Sequence, residues 1–496
     1  MATLGSKAAG QDEFGFAEIE QSCPAWSQGA KLSKSLVALE DINPVKWVGL
    51  ISILAPIFPV SWWLRHNSRA SPKLWFLLGF LPFVFSPLHL LMAAISWPEW
   101  QGFVHGLEFS IVDALAIALW LSVPRTADPI PFKGSMALYF IATLVATFTA
   151  RTPLAALFYP WQLVRMFVVY VAVTRGVFAD PRVTPALMKG MATGFLLEAG
   201  IAIWQRFGLG LLQVSGTFQD QNFLGLTSHL ITFPFFALFL HGGSVGMFPS
   251  AVMPAAVIVE VLTASRATLG LSGLGYATLF LLSAVRQSTS RKMLILLVGA
   301  AAAAAITPVV FGSLAQRETI NSPIESDIGR ESFARAAAMI LSDHPLGVGS
   351  NHYLTVANVE GYYQRANVQP NSRTSIVHNV YWLVACETGW AGLMTLLILL
   401  FQPLHVALFC GWCNRGDTRG DLMLGIGMGF LLLYIHSLFE WVFVASETQY
   451  MFAMQIGLVA GLAKQLGYWP TRATVRVKYK GPGVLSSARP GRRGAI

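Results

Sequence analysis

Between Ser375 and Leu400 the chain reads SIVHNVYWLVACETGWAGLMTLLILL. A titratable pair, His378–Asn379, opens a run apolar enough to enter a membrane, and Glu387, Gly389 and Gly392 lie inside it. Histidine is the side chain whose ordinary pKa lies nearest neutrality, so at the head of a membrane helix it can take a proton from a hydroxyl. At about 100° per residue, Gly389 returns to the face of His378 and Gly392 falls beside it. Glycines on one face let a neighbouring helix approach closely. The two are therefore expected to pack and position, with the histidine facing a cavity at the membrane surface. Taken alone, the pattern equally describes an interfacial histidine above small packing residues.

Four arginines are candidates for binding an anion. Arg266 lies between two apolar runs with almost no loop. A guanidinium is costly to bury there, which makes it a functional candidate by default. Arg206, in IWQRFGLG, falls at the same expected membrane face. Arg330 and Arg335 sit about one helical turn apart in the polar stretch GRESFARAAAMIL. A planar guanidinium clamps phosphate oxygens through paired N–H donors, so these cations suit a phosphate group. For Arg266 and Arg206 the plainer alternative is an arginine that snorkels to the interface.

The remaining polar residues point to less. His344, His352 and His436 read as structural, and Asp343 and Glu360 as loop solvation. None stands at metal-ligand spacing, and no metal is expected. Glu108, Asp113 and Glu198 fall in early apolar runs, where packing and substrate roles both stay open. The cysteines are Cys23, Cys386, Cys410 and Cys413. FCGWCNRG holds a Cys-x-x-Cys, but no βαβ pattern surrounds it, so an inert pair and no disulfide framework are expected. No glycine-rich nucleotide loop is present, and no cofactor is expected.

The elements that must position these residues follow from composition. The chain has 496 residues, 54% hydrophobic and 12% charged, about half the charge of a soluble domain. Its mean hydropathy is +0.56. Apolar runs of about 20 residues recur and predict an all-α, polytopic integral membrane protein, since helices satisfy their own backbone in lipid. Candidate spans lie near 46–64, 74–95, 103–123, 135–150, 161–178, 187–205, 222–241, 247–265, 268–285, 293–312, 380–405, 421–439 and 448–465. Basic loops alternate with poorer ones from the second candidate onward, giving about twelve spans that start and finish in the cytoplasm. The first, WVGLISILAPIFPVSWWL, spans the membrane or lies at its interface.

The net charge of +9 belongs to those loops and to the tail RATVRVKYKGPGVLSSARPGRRGAI, not to nucleic-acid binding. Five regions result: an N-terminal segment 1–45 without a signal-peptide pattern, spans over 46–312, a large extracytoplasmic loop 313–379, C-terminal spans over 380–466, and a basic cytoplasmic tail 467–496. In the loop, ESFARAAAMIL reads as an amphipathic helix and HPLGVGSN ends it. A long loop with structure of its own is more often functional than a spacer.

The spacing His-Asn, nine residues, Gly, two residues, Gly resembles the signature of the bacterial O-antigen ligase and O-antigen polymerase superfamily. GRESFARAAAMILSDHPLGVGSNHY is similar to that family's loop, an Arg followed by a helix and a Pro-Leu-Gly-x-Gly turn. GTFQDQNFLGL (216–226) resembles its Gly-x-Phe…Asn element and LTASRATLGL (262–271) its Ser-Arg-x element. The four elements stand in the family's order over roughly 216–465, while the N-terminal half matches only as generic spans.

The resemblance implies a membrane glycosyltransferase that moves glycan from an undecaprenyl-diphosphate-linked donor to a glycan acceptor, inverting and without a metal. It implies His378 as base, Asn379 orienting it or a sugar hydroxyl, and Arg266, Arg206 and Arg330 on the diphosphate. Asn222 and Arg335 would bind substrate. It further implies the bacterial inner membrane, with the site on the periplasmic side among membrane lipids. A polymerase is favoured because the large loop could enclose a growing chain. Transfer to lipid A core by a ligase, or to protein by an oligosaccharyltransferase, stays open. A transporter of lipid-linked glycan, the alternative from another class, calls for midplane charges and repeat symmetry. Here polar residues concentrate on one face instead.

Overall fold

The computed structural model describes residues 44–124, 128–242, 247–320 and 323–469. The expectations for residues 1–43, for Cys23 and for the tail from 470 fall outside the described residues. Helices α1 (Pro44–Leu54) and α2 (Ile57–His66) lead into α3 (Ser71–Phe80) and a 3-10 turn (Leu81–Val84). An antiparallel hairpin of β1 (Leu91–Ser96) and β2 (Gly106–Ser110) follows, with Leu91 opposite Ser110. Then come α4 (Ile111–Ser122), α5 (Lys133–Val145), α6 (Pro153–Ala156), α7 (Phe158–Ala179), α8 (Val183–Ile203) and α9 (Gln221–His241). Next come α10 (Phe248–Leu262), α11 (Arg266–Arg286), α12 (Ser290–Ile320) and α13 (Pro323–Asp343). After the short α14 (Tyr353–Val359) and α15 (Tyr362–Arg365) come α16 (Val380–Cys413), α17 (Thr418–His436) and α18 (Ser446–Gln465).

Among the described residues, eight helices are long and apolar enough to cross a membrane, against the twelve or so expected. The stretch Pro44–His66, left open by the loop charges, is one of them. The expected spans 74–95, 103–123, 135–150 and 247–265 are realised as shorter apolar helices. The first two are cut by causes the hydropathy pattern does not register. Pro82 and Pro87 end the helix that starts at Ser71, and the apolar run continues as β1, which periodicity cannot tell from a buried helix. Ser110 and Asp113 then close a capping box: Asp113 N–H donates to Ser110 Oγ at 3.2 Å and Ser110 N–H to Asp113 Oδ2 at 2.8 Å. That starts α4 only at Ile111. Helix α12 also runs through the expected boundary at 312 to Ile320.

Polar residues that were open in the sequence bolt the bundle together. Buried Arg165 on α7 pairs with Asp113 at 2.8 Å and Glu108 at 3.1 Å, and donates to the Tyr450 hydroxyl on α18. Glu198 on α8 accepts from Thr217 N–H at 2.9 Å and from Thr217 Oγ1 at 2.5 Å, holding the turn ahead of α9. Helix α9 is buried along nearly its whole span, whereas the apolar stretch of α12 buries none of its residues.

The expectation that Gly389 shares a helical face with His378 fails. Gly389 has φ 69° and ψ −176°, which breaks α16 inside its run. The loop segment Pro345–Gly349 fits into the break. Val348 N–H donates to Cys386 O and Gly349 N–H to Glu387 O, both at 2.9 Å, so carbonyls freed by the break find partners. The Glu387 side chain accepts from Asn351 N–H at 2.8 Å and Tyr353 N–H at 3.1 Å. The close approach at Gly389 is thus to a loop and not to a neighbouring helix.

The two glycines should therefore respond differently to alanine. A Cβ at Gly389 would lie 2.7 Å from the backbone of Pro345 and Leu346, in a conformation that L residues rarely adopt. At Gly392 it would lie 1.8 Å from Thr388 Oγ1 and 2.3 Å from Thr388 Cβ, so Thr388 must shift, but the backbone there carries no left-handed strain and no loop backbone stands in the way. Gly389→Ala is expected to cost at least about 1–3 kcal/mol through backbone strain alone, and Gly392→Ala less. Thermal unfolding of the detergent-solubilised variants decides it; equal shifts would contradict this assignment.

Candidate active site

Helix α16 starts just beyond Asn379, which serves as its N-cap. Asn379 Oδ1 accepts from Tyr381 N–H at 2.9 Å and Trp382 N–H at 3.1 Å, while Nδ2 donates to Leu438 O at 3.0 Å. All three bonds go to backbone groups and none to His378, so of the two roles implied for Asn379, orienting the histidine or a sugar hydroxyl, only the second stays open. Asn379 places His378 outside the helix, where the ring meets the turn between α17 and α18.

The partner on that turn is Glu440. His378 Nδ1 lies 3.2 Å from Glu440 Oε2. Glu440 Oε1 accepts from Asn222 Nδ2 at 3.0 Å and from Arg330 Nη2 at 3.4 Å. The carboxylate is 7% exposed and the imidazole 30% exposed, so the pair is held on one side and open on the other. Phe333 and Trp441 stand edge-on to the His378 ring at 5.6 and 6.4 Å. An ionised carboxylate only accepts hydrogen bonds, so the contact assigns the ring proton to Nδ1 and leaves the Nε2 lone pair available.

Facing the pair is a cavity of about 610 Å³ whose walls include Arg266, Arg317 and Arg330. Arg266 is the first residue of α11, behind the Ser265 cap, so the positive end of a helix adds to its charge. Arg317 comes from α12 and donates to Ala264 O at 2.7 Å. Arg330 comes from α13. A second carboxylate, Asp327, is loosely placed, 3.7 Å from Arg266 and 3.9 Å from Arg330. Half-exposed pairs of this length are weak and easily exchanged for a better anion. Beneath, burial and then the neighbouring Glu440 push the Asp220 carboxyl above its ordinary range.

His378, Asn379, Asn222, Arg266 and Arg330 therefore come together around one cavity. Arg206 does not join them. Its Nη1 donates to the carbonyls of Leu211 and Leu212, both at 3.2 Å, while its neighbour Gln205 grips Gly216 at 2.8 Å. Arg335 does not either, because it is held by Glu331 at 2.7 Å, Ser332 at 2.9 Å and Ala366 O at 3.3 Å. Glu440 and Arg317 are the residues that sequence reasoning missed. Arg317 falls in the polar stretch beyond the expected end of the span at 312, whereas α12 carries it as helix to Ile320. Glu440 sits in HSLFEWVFV, where a lone acid between apolar runs was the available signal.

Other polar candidates are tied into the scaffold. His344 meets Glu360 at 3.2 Å, and Glu360 pairs with Arg151 at 2.6 Å. His352 Nε2 accepts from Thr152 N–H at 3.2 Å, and burial lowers its pKa. His436 is buried against His229 at 3.2 Å. Cys386, Cys410 and Cys413 are free thiols.

Residues 251–397 match the family model described as O-antigen ligase. The match supports the O-antigen ligase/polymerase superfamily to which the motifs point, and with it a membrane enzyme that uses lipid-linked glycans. It takes in Arg266, Arg317, Arg330, His378 and Asn379, whereas Asn222 and Glu440 lie outside it. No curated protein matches the chain.

Proposed function

From the O-antigen ligase/polymerase similarity of its central segment, we propose that this protein is a glycosyltransferase acting at the periplasmic face of the bacterial inner membrane. It moves a glycan from an undecaprenyl-diphosphate carrier to a hydroxyl of a second glycan, as a polysaccharide polymerase does. The observation that carries this reading is the Glu440 carboxylate, which joins His378 to a cavity walled by three guanidinium groups. His378 Nε2 takes the proton of the acceptor hydroxyl as its oxygen attacks the anomeric carbon. The bond from that carbon to the diphosphate oxygen breaks with its electron pair, and the configuration inverts. Arg266, Arg317 and Arg330 neutralise the charge gathering on the departing diphosphate.

The test is reconstitution of the purified protein in proteoliposomes with a polyprenyl-diphosphate-linked oligosaccharide as sole substrate. A ladder of lengthened glycans is expected. Product formed only after lipid A core is added would make the protein a ligase instead. No transfer to any glycan, lipid or protein acceptor by folded protein would overturn the reading.

Arg266 gives a graded prediction. A charge-assisted contact contributes on the order of 1.5–3 kcal/mol, or about ten- to a hundredfold in rate if it strengthens in the transition state. Arg266→Ala is expected to lose that much, and Arg266→Lys part of it, because lysine keeps the charge without the planar fork. Rates are taken per folded molecule. An arginine that merely anchors α11 would lower abundance and leave specific activity intact.

A further inference from the structure

A second cavity, of about 300 Å³, lies apart from the catalytic one, between α5, α7, α16 and α18. Its lining is almost wholly apolar, with Ala137, Met166, Leu399, Phe452 and Ile456 among its walls, and its charged residue is Lys133. Lys133 begins α5. Phe132 before it takes a left-handed conformation (φ 55°), and no side chain caps the helix, so first-turn N–H groups stay open beside the exposed ammonium. An anion there meets both a cation and the positive end of a helix.

The orientation of this cleft follows from α18. Lys464, in its last turn, pairs with Asp128, and the Phe132 ring meets Trp469 at 6.0 Å. Lys133 therefore starts beside the C-terminal end of α18. Gln449, which lines the other end of the cleft, precedes Lys464 by fifteen residues, or about 22 Å of helix. There Gln449 donates to Gln162 at 3.2 Å and the Tyr139 and Tyr159 hydroxyls meet at 3.0 Å, so polar pairs close that end. Glu440 and His378 lie beyond the N-terminus of α18. The cation of this cleft and the arginines of the catalytic cavity thus stand at opposite ends of the bundle.

We propose that the cleft holds one acyl chain of an anionic glycerophospholipid, with the lipid phosphate on Lys133 and the open first turn of α5. The apolar walls take a chain that would otherwise lie in bulk lipid, and the single cation selects the headgroup. The isoprenoid of the glycan donor is the poorer occupant, because its diphosphate is drawn to the arginines at the other end.

The test uses the full chain in phosphatidylcholine nanodiscs doped with phosphatidylglycerol carrying a photoreactive acyl chain, with crosslinks mapped to peptides. Label is expected at Met166 and Phe452. Ala137→Trp, at an exposed position on the rim, should cut it at least about fivefold, equivalent to about 1 kcal/mol, while label on the lipid-facing Leu294 and Leu297 of α12 stays unchanged. Lys133→Glu should weaken labelling by phosphatidylglycerol but not by a phosphatidylcholine probe. Unaltered thermal unfolding of both variants keeps the comparison sound. Label at Met166 and Phe452 that ignores Ala137→Trp would mean bulk contact and overturn the proposal. So would displacement of the label by polyprenyl diphosphate, which would make the cleft a site for the donor's tail.

Discussion

Replacing His378 with alanine should lower glycan transfer by a factor of about 10²–10⁴, the range that a positioned general base supplies. The expectation rests on where the ring sits. It is outside α16 and partly exposed, where it meets the carboxylate of Glu440 and the edges of Phe333 and Trp441. Removing it opens no core cavity, and the cap that starts α16 belongs to Asn379. His378→Ala should therefore insert and unfold much as the parent protein does, and the loss should appear in turnover more than in donor binding. Transfer by purified variant, normalised to folded protein at saturating donor, measures it. Near-parental turnover would remove His378 from the chemistry.

The motifs gave away the residues whose partners are local or whose types are unusual for their surroundings. Arg266 is legible because two apolar runs flank it, and His378 because it heads a third. What stayed hidden depends on contacts across the chain. Glu440 meets His378 from 62 residues away, and no periodicity records which turn will fold back onto which helix end. Arg206 and Gln205 are adjacent in sequence, yet the glutamine holds the turn that presents Asn222, while the arginine folds onto carbonyls of its own loop. Side-chain direction at a helix end is set by backbone that sequence does not reveal.

Gly389 shows the same limit from another side. Its spacing from His378 fits a helical face, but the loop at Pro345–Gly349 supplies backbone donors that reward breaking the helix there. That exchange also explains an acid inside an apolar run, since Glu387 collects N–H groups of the loop that follows α13. The break thereby helps to fix α13, and Arg330 with it, over the cavity. The membrane character of the chain was plain from composition, whereas the number of spans was not, because proline and a capping box turn continuous hydropathy into short helices and a hairpin.

Glu440 should also prove costly to lose, though less so than the base. Glu440→Ala removes the acceptor that fixes the His378 tautomer and leaves Arg330 and Asn222 without their shared partner. Arg330 and His378 stay about a third exposed, so no buried charge is stranded and the loss is that of charge-assisted hydrogen bonds, on the order of 1.5–3 kcal/mol. If it falls on the transition state, transfer per folded molecule should drop roughly ten- to a hundredfold. Glu440→Gln keeps the volume and an acceptor oxygen but not the charge, and should lie between the two. Because Glu440 touches no reacting atom, the part of its effect that acts through the imidazole should vanish once the imidazole is gone, leaving only what it does through Arg330 and Asn222. The variant carrying both His378→Ala and Glu440→Ala should therefore be faster than the product of the two single losses allows, a non-additivity that a double-mutant cycle reads directly. A glutamate that only pins the turn between α17 and α18 makes the opposite forecast. It would lower stability equally with or without His378, and its effect on transfer would multiply with that of the histidine. Independent, multiplying losses would separate Glu440 from the base and leave it a structural pin.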